Sequence, residues 1–183
     1  MMLLPHNTVT KRWSRLLEHP LYNGIWFQLT WFSCVFGREA WLPLSLTLLA
    51  MHFLLVQSPM QELRRLAPIM VLGIGVDSAL SLFGVFDFDG SAIVPLWLCL
   101  LWIAFATTLN RALATFGRWI WLAALIGAVG VPFNYAVGAK FGAVVLPLTP
   151  WITTTLLVSI WALLLPIFYH LAKRPMTAQR AAT

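Results

Sequence analysis

Long apolar runs separated by short polar breaks make up most of this chain. Five runs approach or reach the length of a bilayer-crossing helix, at residues 21–37, 41–56, 67–86, 93–109 and 151–171. A hydrocarbon core of about 30 Å takes roughly 17 to 25 helical residues. A sixth stretch, 119–146, is too long for one straight helix, about 42 Å at 1.5 Å per residue. Pro132 lies within it and predicts a kink or break there. The stretch is read as one span over 119–138 followed by an outer-side or re-entrant segment. The pattern therefore predicts an all-α, polytopic transmembrane helical bundle of about six spans. Short connections make consecutive spans antiparallel neighbours.

Basic residues orient the bundle. With the N-terminus in the cytoplasm, the inner segments hold Lys11, Arg12, Arg15, Arg64, Arg65, Arg111, Arg118, Lys173, Arg174 and Arg180, and the outer loops hold only Arg38 and Lys140. This asymmetry predicts an N-in/C-in topology, and a missed or extra span would scramble it. Three regions follow: a cytoplasmic segment at 1–20, a six-span domain at 21–171 and a cytoplasmic tail at 172–183. Residues 8–19 have the pattern of a short amphipathic helix, with Lys11, Arg12 and Arg15 toward headgroups and Trp13, Leu16 and Leu17 toward the acyl boundary. The tail is polar, rich in small residues and expected to be disordered. No small-x-small cleavage site follows the first run, so it is taken as a retained span.

Composition excludes other classes. Apolar residues make up 60% of the chain and charged residues 10%, well below the roughly 25% of soluble domains. The net charge of +6 is spread in small clusters at the ends of apolar runs rather than gathered on a polar face, which argues against nucleic-acid binding. Cys34 and Cys99 sit inside apolar runs with no metal-binding or redox spacing, as packing thiols do.

Polar residues inside the runs are the candidates for chemistry, because lipid cannot satisfy them. Asp77 lies near the middle of the third span, on one helix face with Gly73, Ser81 and Gly84. A central Asp costs roughly 2.5–3.5 kcal/mol to insert, so it should point into the bundle. A ligand, ion or proton site and a hydrogen-bonded packing residue both remain open. Asn23 and Gln28 in the first span read first as interhelical hydrogen bonds that fix register. In the fifth span Gly130, Asn134, Gly138 and Gly142 recur every four residues, with Tyr135 beside them. A glycine stripe allows close helix approach, and Pro132 frees a carbonyl near Ala128. Such broken helices occur at transporter and lipid sites. Asn110 and Arg111 close the fourth span, Arg111 as an orientation anchor or headgroup contact. His52 lies close enough in depth to Asp77 for a proton relay, although a packed, satisfied histidine is the commoner case. Asp87 and Asp89 fall in an outer hairpin and make a weak cation site at most. Trp26 and Trp31 echo the spacing of Trp97 and Trp102, as an inverted repeat would, but ten tryptophans make coincidence the better account.

No nucleophile elbow, zinc-protease helix, P-loop or dinucleotide fingerprint is present, and no cofactor is expected. The segments Phe27-Gln28-Leu-Thr-Trp31-Phe-Ser-Cys34-Val, Pro95-Leu-Trp97 with Leu101-Trp102-Ile-Ala-Phe105-Ala, and Gly127-Ala-Val-Gly130-Val-Pro132-Phe-Asn134-Tyr135 with Gly138-Ala-Lys-Phe-Gly142-Ala resemble a bacterial inner-membrane family known as a domain of unknown function. The resemblance covers residues 20–171. It departs at Val131-Pro132, where the family pattern leads to Gly-Pro before x-x-Tyr. It implies a Gram-negative inner membrane, about six spans and a link to fatty-acyl modification of phospholipids, with no established catalytic residues. Three functions follow in order. The first is a lipid-binding accessory or small intramembrane enzyme of lipid modification, with Gln28, Asp77, Asn134 and Tyr135 lining its pocket and Asn23 and Asn110 as further ligand-binding candidates. The second is a small proton- or ion-coupled transporter. The third is a structural subunit of a membrane complex. Expected partners are membrane lipids and a membrane-protein partner or second copy.

Overall fold

A computed structural model describes residues 18–88 and 93–173. Residues 8–17 of the amphipathic segment expected at 8–19, Asp89 and the tail from 174 lie outside the described residues. Among those described, six helices account for the fold: α1 (Pro20–Gly37), α2 (Leu42–Leu55), α3 (Pro59–Leu82), α4 (Leu96–Thr108), α5 (Ile120–Lys140) and α6 (Pro150–Ala172). Each falls on one of the predicted apolar runs. Proline marks most of the starts: Pro20, Pro59 and Pro150 open their helices, Pro43 sits in the first turn of α2, and Pro95 caps α4. A missing N–H is harmless there, because the first turn has no intrahelical acceptor for it.

Glycine ends two of the helices. Gly84 and Gly142 both have φ of +72°, the left-handed conformation. After α3, Gly84 N–H reaches Ser81 O and Val85 N–H reaches Leu80 O; after α5, Gly142 N–H reaches Ala139 O and Ala143 N–H reaches Gly138 O. These are paired Schellman bonds, which satisfy the last carbonyls of each helix. The two tails then meet, as Asp87 and Val145 exchange backbone hydrogen bonds of 2.9 and 2.7 Å.

Among the described residues, four helical stretches are long and apolar enough to cross a membrane: 20–55, Pro59–Leu82, Ile120–Lys140 and Pro150–Ala172. The first is a hairpin. A 3₁₀ turn at Arg38–Trp41 reverses the chain, so that Ser33 Oγ meets Ser45 Oγ at 2.8 Å and the Trp26 indole stacks on His52 at 4.5 Å. Helix α4 is apolar but has only 13 residues. It packs against α1, α2 and α3, and most of its residues are buried, among them Trp97, Trp102, Thr107 and Thr108. A helix covered on most of its surface by its neighbours needs no polar face, in keeping with its apolar sequence.

Helices α5 and α6 form the most extensive pair, and Gly127 makes their approach possible. A Cβ at Gly127 would lie 2.1 Å from Trp161 O. The close-packing glycine of α5 is therefore Gly127 rather than the expected stripe. Nothing presses on Gly130, Gly138 or Gly142; an added Cβ would meet only ordinary contacts at 3.9–4.0 Å, or none at all. Helix α5 also continues through Pro132, so of the expected kink or break the break is absent.

Consecutive helices alternate in direction. One end of the bundle gathers Glu18, Asn23, His52, Glu62, Arg111 and Ala172; the other gathers Arg38, Phe88, Trp97, Gly142 and Val145.

Candidate functional site

A cavity of about 280 Å³ opens between α1 and α5. Its floor is α4 and α6, contributing Trp97, Trp102, Phe105, Trp161 and Leu165; its sides are Phe27, Trp31 and Val35 of α1 and Gly130, Val131, Asn134, Tyr135 and Gly138 of α5. Ala143, Val144 and Phe88 close it toward the Arg38 end. The volume lies at the small end of small-molecule sites, about 300–1,000 Å³. The space exists because Gly130 and Gly138 place no side chains on the face of α5 that looks across at α1.

The wall is held in place from behind by Asp77. This residue is fully buried on α3 and does not line the cavity. Trp102 Nε1–H donates to Asp77 Oδ2 at 2.8 Å, and Tyr135 O–H donates to Oδ1 at 2.6 Å. One turn earlier, Gly73 lets the Trp102 ring lie against α3, since a Cβ there would come within 2.3 Å of the indole. The two residues that Asp77 secures then hold others. Trp102 stacks on Trp161 (5.7 Å, 12°), and Tyr135 stacks on Phe86 (4.5 Å). A single carboxylate thus ties together three helices and fixes two faces of the cavity. Both oxygens take donors, as a polar group away from water requires.

The sequence-nominated residues divide among separate places. Asp77 and Tyr135 meet directly, and Asn134 lines the same cavity, its Nδ2–H donating to Gly130 O at 2.8 Å. Gln28 is exposed on the outer side of α1, away from the cavity. Asn23 and Asn110 lie at the other end. There Asn23 donates to Thr107 Oγ1 (3.2 Å) and accepts from Ala112 N–H (3.3 Å), while Asn110 donates to Ala172 O (3.3 Å).

That second end holds a buried ionic cluster. Arg111, 9% exposed, makes a two-pronged pair with Glu62 (2.8 and 3.0 Å) and a further bond to Glu18 (2.8 Å). Burial alone would lower the guanidinium pKa, but the hydrogen bonds and charges of Glu62 and Glu18 hold it above the usual arginine range. His52 Nε2 lies 3.1 Å from Glu62 Oε1. Two expectations are corrected here. Arg111 is an internal ion-pair partner rather than a headgroup contact, because its turn tucks beneath the start of α3. His52 pairs with Glu62 rather than Asp77, because it sits in the last turn of α2, at the opposite end from the Trp102–Tyr135 wall. Glu62 was not singled out from the sequence. Its signal was a lone acidic residue in the first turn of a span, with a single histidine ten residues before it.

No cluster of three or more His, Cys, Asp or Glu able to hold a metal occurs among the described residues. Nucleophile and base do not converge on the cavity, whose lining is apolar and aromatic. The arrangement is suited to holding an apolar group in a fixed aromatic frame.

A helical bundle of membrane-type hydropathy around an apolar cavity is the class of protein these features define. Within that class the chain belongs to the family described as "Protein of unknown function (DUF2878)", whose model matches residues 20–167. No curated protein and no solved structure matches the chain.

Proposed function

We propose that this is a six-span protein of the bacterial cytoplasmic membrane, both ends inside, that binds a membrane-lipid acyl chain in the α1–α5 cavity and serves lipid modification as a binding accessory or small intramembrane enzyme. The observation that carries the reading is the cavity itself, apolar, aromatic-walled and kept open by Gly130 and Gly138. An apolar space flanked by lipid-facing helices is filled by an acyl chain, since water gains nothing there. The topology rests on the alternating helices and on the cationic residues gathered at the Arg111 end. Asp77 has a positioning role in this reading. It holds Trp102 and Tyr135 rather than touching the ligand.

The test is lipid retention. Full-length protein purified in mild detergent is extracted and its co-purified lipid measured by mass spectrometry. Wild type is expected to retain acyl-chain lipid in fixed stoichiometry, and Gly130→Leu to lose it while remaining monodisperse. Equal retention by both proteins would overturn the reading.

A further inference from the structure

An amide stands in the wall of the apolar cavity. Asn134 shares a face of α5 with Ile126, Gly130 and Gly138, all of them lining residues. Its Nδ2–H donates to Gly130 O, one turn back, at 2.8 Å. This bond lays the amide along the side of the helix that Gly130 leaves bare, where an added Cβ would meet nothing nearer than Ile126 at 3.9 Å. A carbonyl only accepts, so the same bond settles which amide atom is the nitrogen. Asn134 is exposed rather than buried in a helix contact.

The amide has capacity left over. A primary amide carries two N–H donors and a carbonyl acceptor. The Gly130 bond takes one N–H, and it is the side chain's only hydrogen bond among the described residues. The second N–H and Oδ1 stay open. Two neighbouring polar tips on the wall are already committed, since Tyr135 O–H and Trp102 N–H both donate to Asp77. Depth sharpens the point. At 1.5 Å per residue, Asn134 lies about 9 Å from the Lys140 end of α5 and about 21 Å from its start. On the six-span reading that depth is hydrocarbon, where neither water nor headgroups satisfy an amide. A leucine of similar size would avoid that cost.

We infer that Asn134 is a specificity-determining residue that selects a hydroxyl-bearing hydrocarbon chain over a plain one. A hydroxyl donates to Oδ1 and accepts from the open Nδ2–H, and so uses both free positions. An ester carbonyl only accepts, and a plain chain does neither. The amide sits well below the end of the helix, so the hydroxyl it meets belongs to the chain and not to a charged head. This inference rests on the acyl-chain reading of the cavity. The shared chemistry is a long chain carrying a neutral hydroxyl, supplied by a hydroxylated acyl chain or by a long-chain alcohol.

Equilibrium binding of radiolabelled methyl stearate, its mid-chain-hydroxylated counterpart and octadecanol to full-length protein in maltoside detergent tests it, each affinity being corrected for the ligand's partition into empty micelles. At least one hydroxylated ligand is expected to bind about three- to tenfold tighter than methyl stearate, as one or two added hydrogen bonds provide. Whichever of the two binds tighter identifies the source. Asn134→Leu should bring the hydroxylated ligands down to the level of methyl stearate in the same protein. No preference in wild type, or an undiminished preference in Asn134→Leu, overturns the inference. The wild-type order alone can do so, whatever the stability of the variant. Gly130→Leu separates the two claims. If it leaves methyl stearate binding unchanged, the acyl-chain reading fails. If it removes that binding while wild type shows no preference for a hydroxyl, only the role of Asn134 fails.

Discussion

The two ends of the bundle solve opposite problems. At the Arg111 end, charged and amide side chains from four helices and their connections are packed and paired: Arg111 with Glu62 and Glu18, Glu62 with His52, Asn23 with Thr107. At the Arg38 end, aromatic rings and glycines surround a hollow, and the helices flanking it are joined by one arginine–carbonyl bond and one ring contact. A buried pair is fixed by what each partner would cost alone, whereas the groups lining a hollow forgo packing contacts that an apolar occupant would restore. On the proposed function, the first end is architecture and the second is the binding region.

That division makes a prediction for each side. The largest effect is expected from Arg111→Met, which strands the buried Glu62 carboxylate beside His52 and should cost about 3–5 kcal/mol. Thermal unfolding in detergent measures it. Arg111→Met/Glu62→Leu should recover much of the loss, because two apolar residues replace the pair. A double variant no more stable than the single one would mean that the cluster does more than satisfy itself. Next comes Gly127→Leu. Its Cβ collides with Trp161 backbone, and overpacking of this kind costs about 1–3 kcal/mol or more, visible as aggregation on size-exclusion chromatography. A monodisperse variant would place the α5–α6 contact elsewhere.

Asp77→Asn sharpens the boundary between the two regions. The new amide offers one acceptor for two donors, so Trp102 N–H or Tyr135 O–H is left unpaired, at about 1–3 kcal/mol. Near-ultraviolet circular dichroism should report the loosened tryptophans. A variant as stable as wild type, with an unaltered spectrum, would remove Asp77 from the wall. The smallest stability effect is expected from Gly130→Leu. Filling the hollow should leave stability unchanged or raise it by at most about 0.5–2 kcal/mol, while lipid retention falls. Should this variant unfold as readily as Gly127→Leu, the hollow is packing space and the contrast between the ends fails.

The helices were legible because insertion into an apolar phase writes itself into sequence as runs of fixed length, punctuated by proline and glycine. All six runs became helices, and Pro20, Pro59 and Pro150 open theirs. Asp77 and Tyr135 stood out for the same reason, since polar groups in such runs need partners. The identity of those partners was not legible. Asp77 takes Trp102, 25 residues away, and Tyr135, 58 away. Pro132 was read as a kink or break, and α5 passes through it without breaking; losing one hydrogen bond does not end a helix whose neighbours support it. Gly130 and Gly138 were read as a packing stripe, but periodicity cannot tell a glycine that admits a helix from one that leaves a space.

By itself, then, the sequence determined the helical elements, their apolar surroundings, the clustering of basic residues on alternate connections and the few polar groups that demand partners. Each of these is a local or compositional property, set by transfer free energy along the chain. Only the tertiary structure decided that Gly127 is pressed while Gly130 is open, that His52 and Arg111 share Glu62, and that Arg38 reaches Gly142 O across 104 residues. These are relations between helix faces, and a face acquires its neighbour only when rotation, depth and crossing of every helix are fixed together by packing.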